Sequence, residues 1–112
     1  MNDIAPEAQN LFSQLMRAIQ DNSYRDFISQ GDWGFKIGIP IFMFWFVTAQ
    51  LTNRMKTGYQ ATYLGHVNCS TEAKHQGFLW KLTFDDGGTE FIARLALNKR
   101  SGRASGLLIS AW

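Results

Sequence analysis

Residues 78–97 read FLWKLTFDDGGTEFIARLAL, two runs of aromatic and branched residues on either side of Asp85-Asp86-Gly87-Gly88. Asp86-Gly87 accepts the positive φ angles that a tight hairpin turn requires, so this stretch predicts a long antiparallel hairpin. Pairing Asp85 with Gly88 sets Leu82 opposite Phe91, Trp80 opposite Ala93 and Phe78 opposite Leu95. Because strand side chains alternate, one face collects Phe78, Trp80, Leu82, Phe84, Phe91, Ala93, Leu95 and Leu97. The other carries Leu79, Lys81, Thr83, Glu90, Ile92 and Arg94. The first face needs a core. The second is mixed, as on a sheet surface that is half solvated or covered by another subunit.

Outward from the hairpin, residues 59–67, YQATYLGHV, predict a preceding strand, and 68–74 a polar loop. Beyond Leu97 the turn at Ser101-Gly102 returns the chain into 106–112, GLLISAW, which places Leu95 opposite Leu108 and Phe91 opposite Trp112. Upstream the chain reads as helix. Leu11, Phe12, Leu15, Met16 and Ile19 recur at helical spacing over residues 6–20, with Pro6 at the first turn and Glu7 at the positive end of the dipole. Asp21-Asn22-Ser23 breaks and re-caps the chain for a short second helix with Tyr24, Phe27 and Ile28 inward, stopped by Gly31. In 32–39, DWGFKIGI, the alternation of Trp33, Phe35, Ile37 and Ile39 favours a short extra strand at 33–39. Pro40 then opens a third helix, with Ile41, Phe42, Trp45, Phe46, Ala49 and Met55 inward, Arg54 and Lys56 near its C-terminal end and Gly58 to stop it. Its first turns are apolar nearly all round, so they are expected to meet both the sheet and something else, helix one or a partner chain.

At 112 residues the chain is expected to be a single domain, 1–112, large enough to bury roughly two-thirds of its unfolded surface. Its 46% hydrophobic, 18% charged and 14% aromatic composition is that of a globular chain. Eleven Lys and Arg against nine Asp and Glu give +2, dispersed and too weak for tracking phosphates, which argues against nucleic acid. Cys69 is single, and no CxxC or histidine pair accompanies it, so neither an internal disulfide nor a metal site is expected. The apolar run 38–47, GIPIFMFWFV, is shorter than the roughly 18 residues of a membrane span, and the first ten residues have no signal-type pattern. No membrane partner and a cytoplasmic location are the expectation.

Three helices followed by a four-stranded antiparallel meander make an α+β design. Three stretches, LFSQLMRAIQDNSYRDFIS, TAQLTNRMKTGYQATYLG and FLWKLTFDDGGTEFIARLAL, resemble the cystatin-like, nuclear transport factor 2-like superfamily, which includes SnoaL-like polyketide cyclases and short stand-alone bacterial proteins. The resemblance implies a cone with three N-terminal helices packed on a curved sheet, a pocket between them, and dimerisation; no cofactor is expected. It spans isomerases, dehydratases, hydrolases and non-catalytic binders, so fold alone fixes little about function.

Chemistry in such a cone resembles general acid-base work by an Asp, His or Tyr in apolar surroundings. No Asp, Glu or His stands in phase with Trp80 and Phe91 on the core face. Tyr63, Asp26 and His66 are the catalytic candidates. Against two of them stands a plainer reading: Asp26 lies off the Tyr24, Phe27 and Ile28 stripe, and His66 points outward unless its strand slips by one residue. Asp32 is explained by a turn after Gly31. Lys81, Glu90 and Arg94 form an outer-face cluster whose plainer reading is cross-strand pairing. Trp45, Tyr59, Tyr63, Trp80, Phe91 and Trp112 are candidates to line a small-molecule cavity, or to fill it. Three functions remain open: a non-catalytic homodimeric binder of a small apolar molecule, which is preferred; a SnoaL-like isomerase, dehydratase or hydrolase; and a protein-interaction domain. Leu79, Ile92, Leu107 and Ile109 would form an exposed outer strip, so a homodimer through that face is expected.

Overall fold

The C-terminal half forms β1 (Tyr59–Asn68), β2 (His75–Phe84), β3 (Phe91–Asn98) and β4 (Arg103–Ala111), an antiparallel sheet in the order β1-β2-β3-β4. The computed structural model describes residues 6–39, 41–68 and 75–111. Pro40, Cys69 and Trp112, and with Trp112 its expected pairing with Phe91, lie outside them. Leu82 pairs with Phe91, Trp80 with Ala93 and Phe78 with Leu95, as the hairpin spacing predicts. The turn itself is looser than expected. Gly87 N–H donates to the Phe84 carbonyl at 3.1 Å, and residues 85–90 stand outside both strands. A longer loop centred on Asp86-Gly87 keeps the same register, so the faces are unchanged.

Two bulges decide which side chains meet the helices. In β3–β4, Leu97 pairs with Ala104 and Ala96 with Gly106, which leaves Ser105 as an extra residue. Each strand face flips with a one-residue slip. Leu95 therefore pairs with Leu107 rather than Leu108, and Phe91 with Ala111. Leu107 and Ile109 consequently pack against the core, while Leu108 turns outward at 55% exposure. This corrects the expected outer strip: Leu79 and Ile92 remain on it, but Leu107 and Ile109 do not. In β1 the register shifts between Tyr63 and Gly65. Tyr59 and Tyr63 sit opposite Phe84 and Trp80 on the core side, and past the bulge His66 comes opposite Phe78.

Among the described residues the helical half has four helices rather than three: α1 (Pro6–Gln20), α2 (Tyr24–Ser29), α3 (Trp33–Gly38) and α4 (Ile41–Lys56). The short strand expected at 33–39 is α3. Asp32 supplies the reason, because its side chain accepts from Phe35 N–H at 2.9 Å and caps a helix where alternation alone favoured extension. Phe35 is then buried beside Phe27, ring centroids 5.2 Å apart, while Trp33 and Ile37 share the solvent side.

On α4 the expected inward face is also corrected. Phe44, Thr48, Leu51 and Met55 are buried, whereas Ile41, Phe42, Trp45 and Phe46 face solvent. In first turns that are apolar all round, local pattern gives no phase. The buried set is the stripe at i, i+4, i+7 and i+11 that runs the helix's whole length. Thr48 satisfies its hydroxyl on the Trp45 carbonyl at 3.1 Å, so its burial leaves no orphan donor. The core lies between α1, with Leu11, Phe12, Leu15, Met16 and Ile19, and the inner face of β2 and β3. Among the described residues no helix is long and apolar enough to cross a membrane.

Candidate functional site

The aromatic candidates are not brought together around one cavity. Trp80, 1% exposed, lies flat on Phe12 with centroids 3.8 Å and planes 2° apart. Tyr63 tilts onto the Trp80 ring at 5.6 Å, and Phe91 meets the edge of Phe84 at 5.9 Å. Trp80 and Phe91 therefore fill the core. Tyr59 lies at the end of β1 against Phe84, and desolvation pushes its phenol pKa upward. Trp45 is 56% exposed on α4, beside a shallow groove that it shares with Asp21, Asn22, Asn53 and Lys56.

Two other grooves adjoin at Ile39, Leu107 and Leu108. The smaller, about 120 Å³, is lined by Ile19, Phe27, Met43, Phe44, Val47 and Ile109, with the three shared residues. The Ser105 bulge is what delivers Leu107 and Ile109 to it. The Tyr24 hydroxyl donates to the Ile39 carbonyl at 2.6 Å and pins the α3–α4 connection at its edge. The larger groove, about 490 Å³, runs between α3 and the middle of the strands, past Phe35, Phe78, Leu95 and Ser105. Gly34, Gly38, Gly77, Ala96 and Gly106 also border it. Their missing or minimal side chains leave the space open.

The catalytic candidates fall elsewhere. Asp26 is exposed in the first turn of α2, its backbone N–H donating to the Ser23 cap at 3.3 Å. His66 is exposed, 6.4 Å from the Phe78 ring, and borders neither groove. Tyr63 also stands outside both, but its hydroxyl is buried and has no hydrogen-bond partner among the described residues. On the outer face Glu90 accepts from Thr83 Oγ1 at 3.2 Å rather than from Lys81 or Arg94.

The structure assembles two polar sites that sequence reasoning did not. Asp32 accepts from Ser105 Oγ at 2.6 Å and Asn98 Nδ2 at 3.2 Å besides the Phe35 N–H. Desolvation pushes its carboxyl up, but the donors from Ser105, Phe35 and Asn98, with His75 nearby, together hold it below the usual carboxylate value. A carboxylate saturated with donors is a poor base. Its role is to tie α3 to the β3–β4 end of the sheet. Arg54 forms a two-pronged pair with Asp86, 2.9 and 3.0 Å, while its guanidinium lies 4.1 Å over the Phe84 ring. The signals were present but local: Asp32 reads as a turn residue after Gly31, although its spacing to Phe35 also suits a helix cap, and Arg54 near the end of α4 reads as a dipole partner. Their tertiary partners, Asn98 at the end of β3 and Asp86 in the 85–90 loop, lie 66 and 32 residues away.

Among the described residues no group of three or more His, Cys, Asp or Glu could hold a metal ion. No family model, curated protein or solved structure matches the chain.

Proposed function

We propose that the chain is a nuclear transport factor 2-like domain that binds a small apolar molecule without transforming it. The observation that carries this reading is the apolar groove of about 120 Å³ between α1, α2, α4 and β4. An apolar cavity of about 150 Å³ takes a guest the size of benzene, so the groove suits an aromatic ring or a short branched alkyl group. The adjoining groove gives a longer molecule room to continue. The order of elements, with helices on one face of a four-stranded antiparallel meander, accords with the superfamily resemblance.

The reading is tested by methyl NMR during titration with benzene. Saturable shifts are expected for Ile19, Val47 and Leu107, and their loss in Val47→Trp, which fills the groove. Shifts confined to the exposed Ile37 and Ile41, or none at all, would overturn it. A second reading, a SnoaL-like isomerase, dehydratase or hydrolase, has one observation in its favour, the buried hydroxyl of Tyr63, which has no hydrogen-bond partner among the described residues.

A further inference from the structure

Trp45, expected from the sequence to line a small-molecule cavity, borders a groove of about 670 Å³ between α4 and the end of α1. That volume falls within the roughly 300–1,000 Å³ of small-molecule sites. The groove shares no lining residue with the apolar site between the helices and β4. One wall is a single ridge of α4. Trp45, Ala49 and Asn53 follow one another at i, i+4 and i+8, and Lys56 closes the far end. The small Ala49 leaves the floor open between the indole and the amide. The facing wall is Gln20-Asp21-Asn22, where Asn22 takes the left-handed conformation that ends a helix, φ 55°. Its N–H donates to the Ile19 carbonyl at 3.1 Å, and Ser23 N–H to the Ala18 carbonyl at 2.8 Å. Thr52 Oγ1 donates to the Ile19 carbonyl at 2.9 Å and fastens the two walls together.

Within these walls the groove presents one aromatic face and a ring of uncommitted polar groups. Trp45 is 56% exposed, and among the described residues it stacks on no other ring and its indole N–H has no acceptor. The side chains of Gln20, Asn22, Asn53 and Lys56 make no hydrogen bond or ion pair among the described residues. Asp21 has only the exposed Arg17 at 3.9 Å, beyond hydrogen-bond distance. The hydroxyls of Thr48 and Thr52, by contrast, are committed to the carbonyls of Trp45 and Ile19. A carboxylate only accepts, an ammonium only donates, and side-chain amides do both. The charges of Asp21 and Lys56 cancel, so the groove is polar and neutral.

Those properties select a class of ligand. The negative face of an indole attracts C–H groups. A pyranose ring offers an apolar face of C–H groups and a perimeter of hydroxyls, each both donor and acceptor. An anion would meet Asp21, and a cation Lys56. A wholly apolar guest would strip water from the amides and charges without pairing them. We infer that the groove binds a neutral saccharide, one sugar ring stacked on Trp45 and its hydroxyls bonded to Asp21, Asn22, Asn53 and Lys56. From Trp45 to Lys56 the ridge is about 16 Å long at a rise of about 1.5 Å per residue, which leaves room for more than one sugar unit.

Amide and indole NMR of the nitrogen-labelled chain tests this, with glucose, galactose, mannose, N-acetylglucosamine, maltose and cellobiose as probes at millimolar concentrations. A saturable shift of the Trp45 indole N–H and of the Asn22 and Asn53 side-chain amides is expected with at least one of these sugars. Trp45→Ala is expected to weaken that binding about tenfold, the scale of one aromatic stacking contact. Because Trp45 is exposed, the variant should keep the wild-type circular dichroism. Trp33→Ala, on α3 and outside the groove, should bind as the wild type does. No saturable shift with any of the sugars would overturn the inference, as would sugar binding that is undiminished in Trp45→Ala or lost in Trp33→Ala. Adenosine is the competing planar probe: saturable Trp45 shifts with adenosine and none with the sugars would make the groove a nucleobase site and exclude a saccharide.

Discussion

Tyr63 carries a hydroxyl that is buried beside Trp80 with no partner among the described residues. An unsatisfied buried hydroxyl costs about 1–3 kcal/mol, whereas deleting it leaves a phenyl ring of nearly the same shape. Tyr63→Phe is therefore expected to leave stability unchanged or raise it by about 1 kcal/mol in urea unfolding, with benzene binding unaltered. Loss of a measured turnover in the same variant, with stability intact, would favour the enzymatic reading. Glycine matters at one position for a related reason. Gly58 has φ +108° and a Cβ there would collide with the Asp85 side chain, so only glycine lets α4 turn directly into β1.

Among the elements, α3 exists because a single carboxylate joins three pieces of chain. Asp32→Ala removes the cap and leaves Ser105 and Asn98 without their acceptor. Loss of an N-cap costs about 1 kcal/mol, and the stranded donors add to it. The expected loss is about 1–2 kcal/mol in chemical denaturation, accompanied by faster amide exchange across Trp33–Gly38; an Asp32→Ala protein as stable as wild type would contradict the tether. The link between α4 and the 85–90 loop is electrostatic. Arg54 and the Gly88 N–H hold the Asp86 carboxyl down, from 3.8 to about 2. A carboxylate with a depressed folded-state pKa stabilises the fold above its unfolded value and loses that contribution as pH falls through the folded one. Thermal unfolding should therefore drop between about pH 4 and pH 2. In Asp86→Asn that drop should shrink, leaving the share that belongs to Asp32. An identical pH profile in wild type and Asp86→Asn would remove the Arg54 pair from the explanation.

At the scale of the molecule, helices cover one face of the sheet and leave its mixed outer face, with Lys81, Ile92 and Arg94, uncovered, while Trp33, Phe42, Trp45 and Phe46 on the helices are exposed. The molecule measures 38 × 35 × 22 Å, thin in the direction expected for one helical layer on one sheet. The hydrophobic groove opens between those layers. Val47→Trp should fill the groove and abolish benzene binding while leaving the sheet and the α1 packing unchanged. Benzene titration and circular dichroism of that variant check this, and undiminished benzene shifts in a folded Val47→Trp protein would place the binding outside the groove.

The sequence by itself determined the hairpin, its inner face and the α+β order. Strand alternation and the Asp86-Gly87 turn are local, and eight consecutive core positions from Phe78 to Leu97 repeat the same signal. The buried stripe of α1 was legible for the same reason. What only the tertiary structure decided were phases. The Ser105 bulge turned Leu107 and Ile109 inward, the Leu64 bulge turned His66 toward Phe78, and packing selected Phe44 over Trp45 on α4. A bulge adds one residue without changing composition, and a helix apolar on all sides contains no local record of which side is buried. The same applies to the groove: its walls come from α1, α2, α4 and β4, segments that share no sequence pattern and meet only when the helices close over the bulged edge strand.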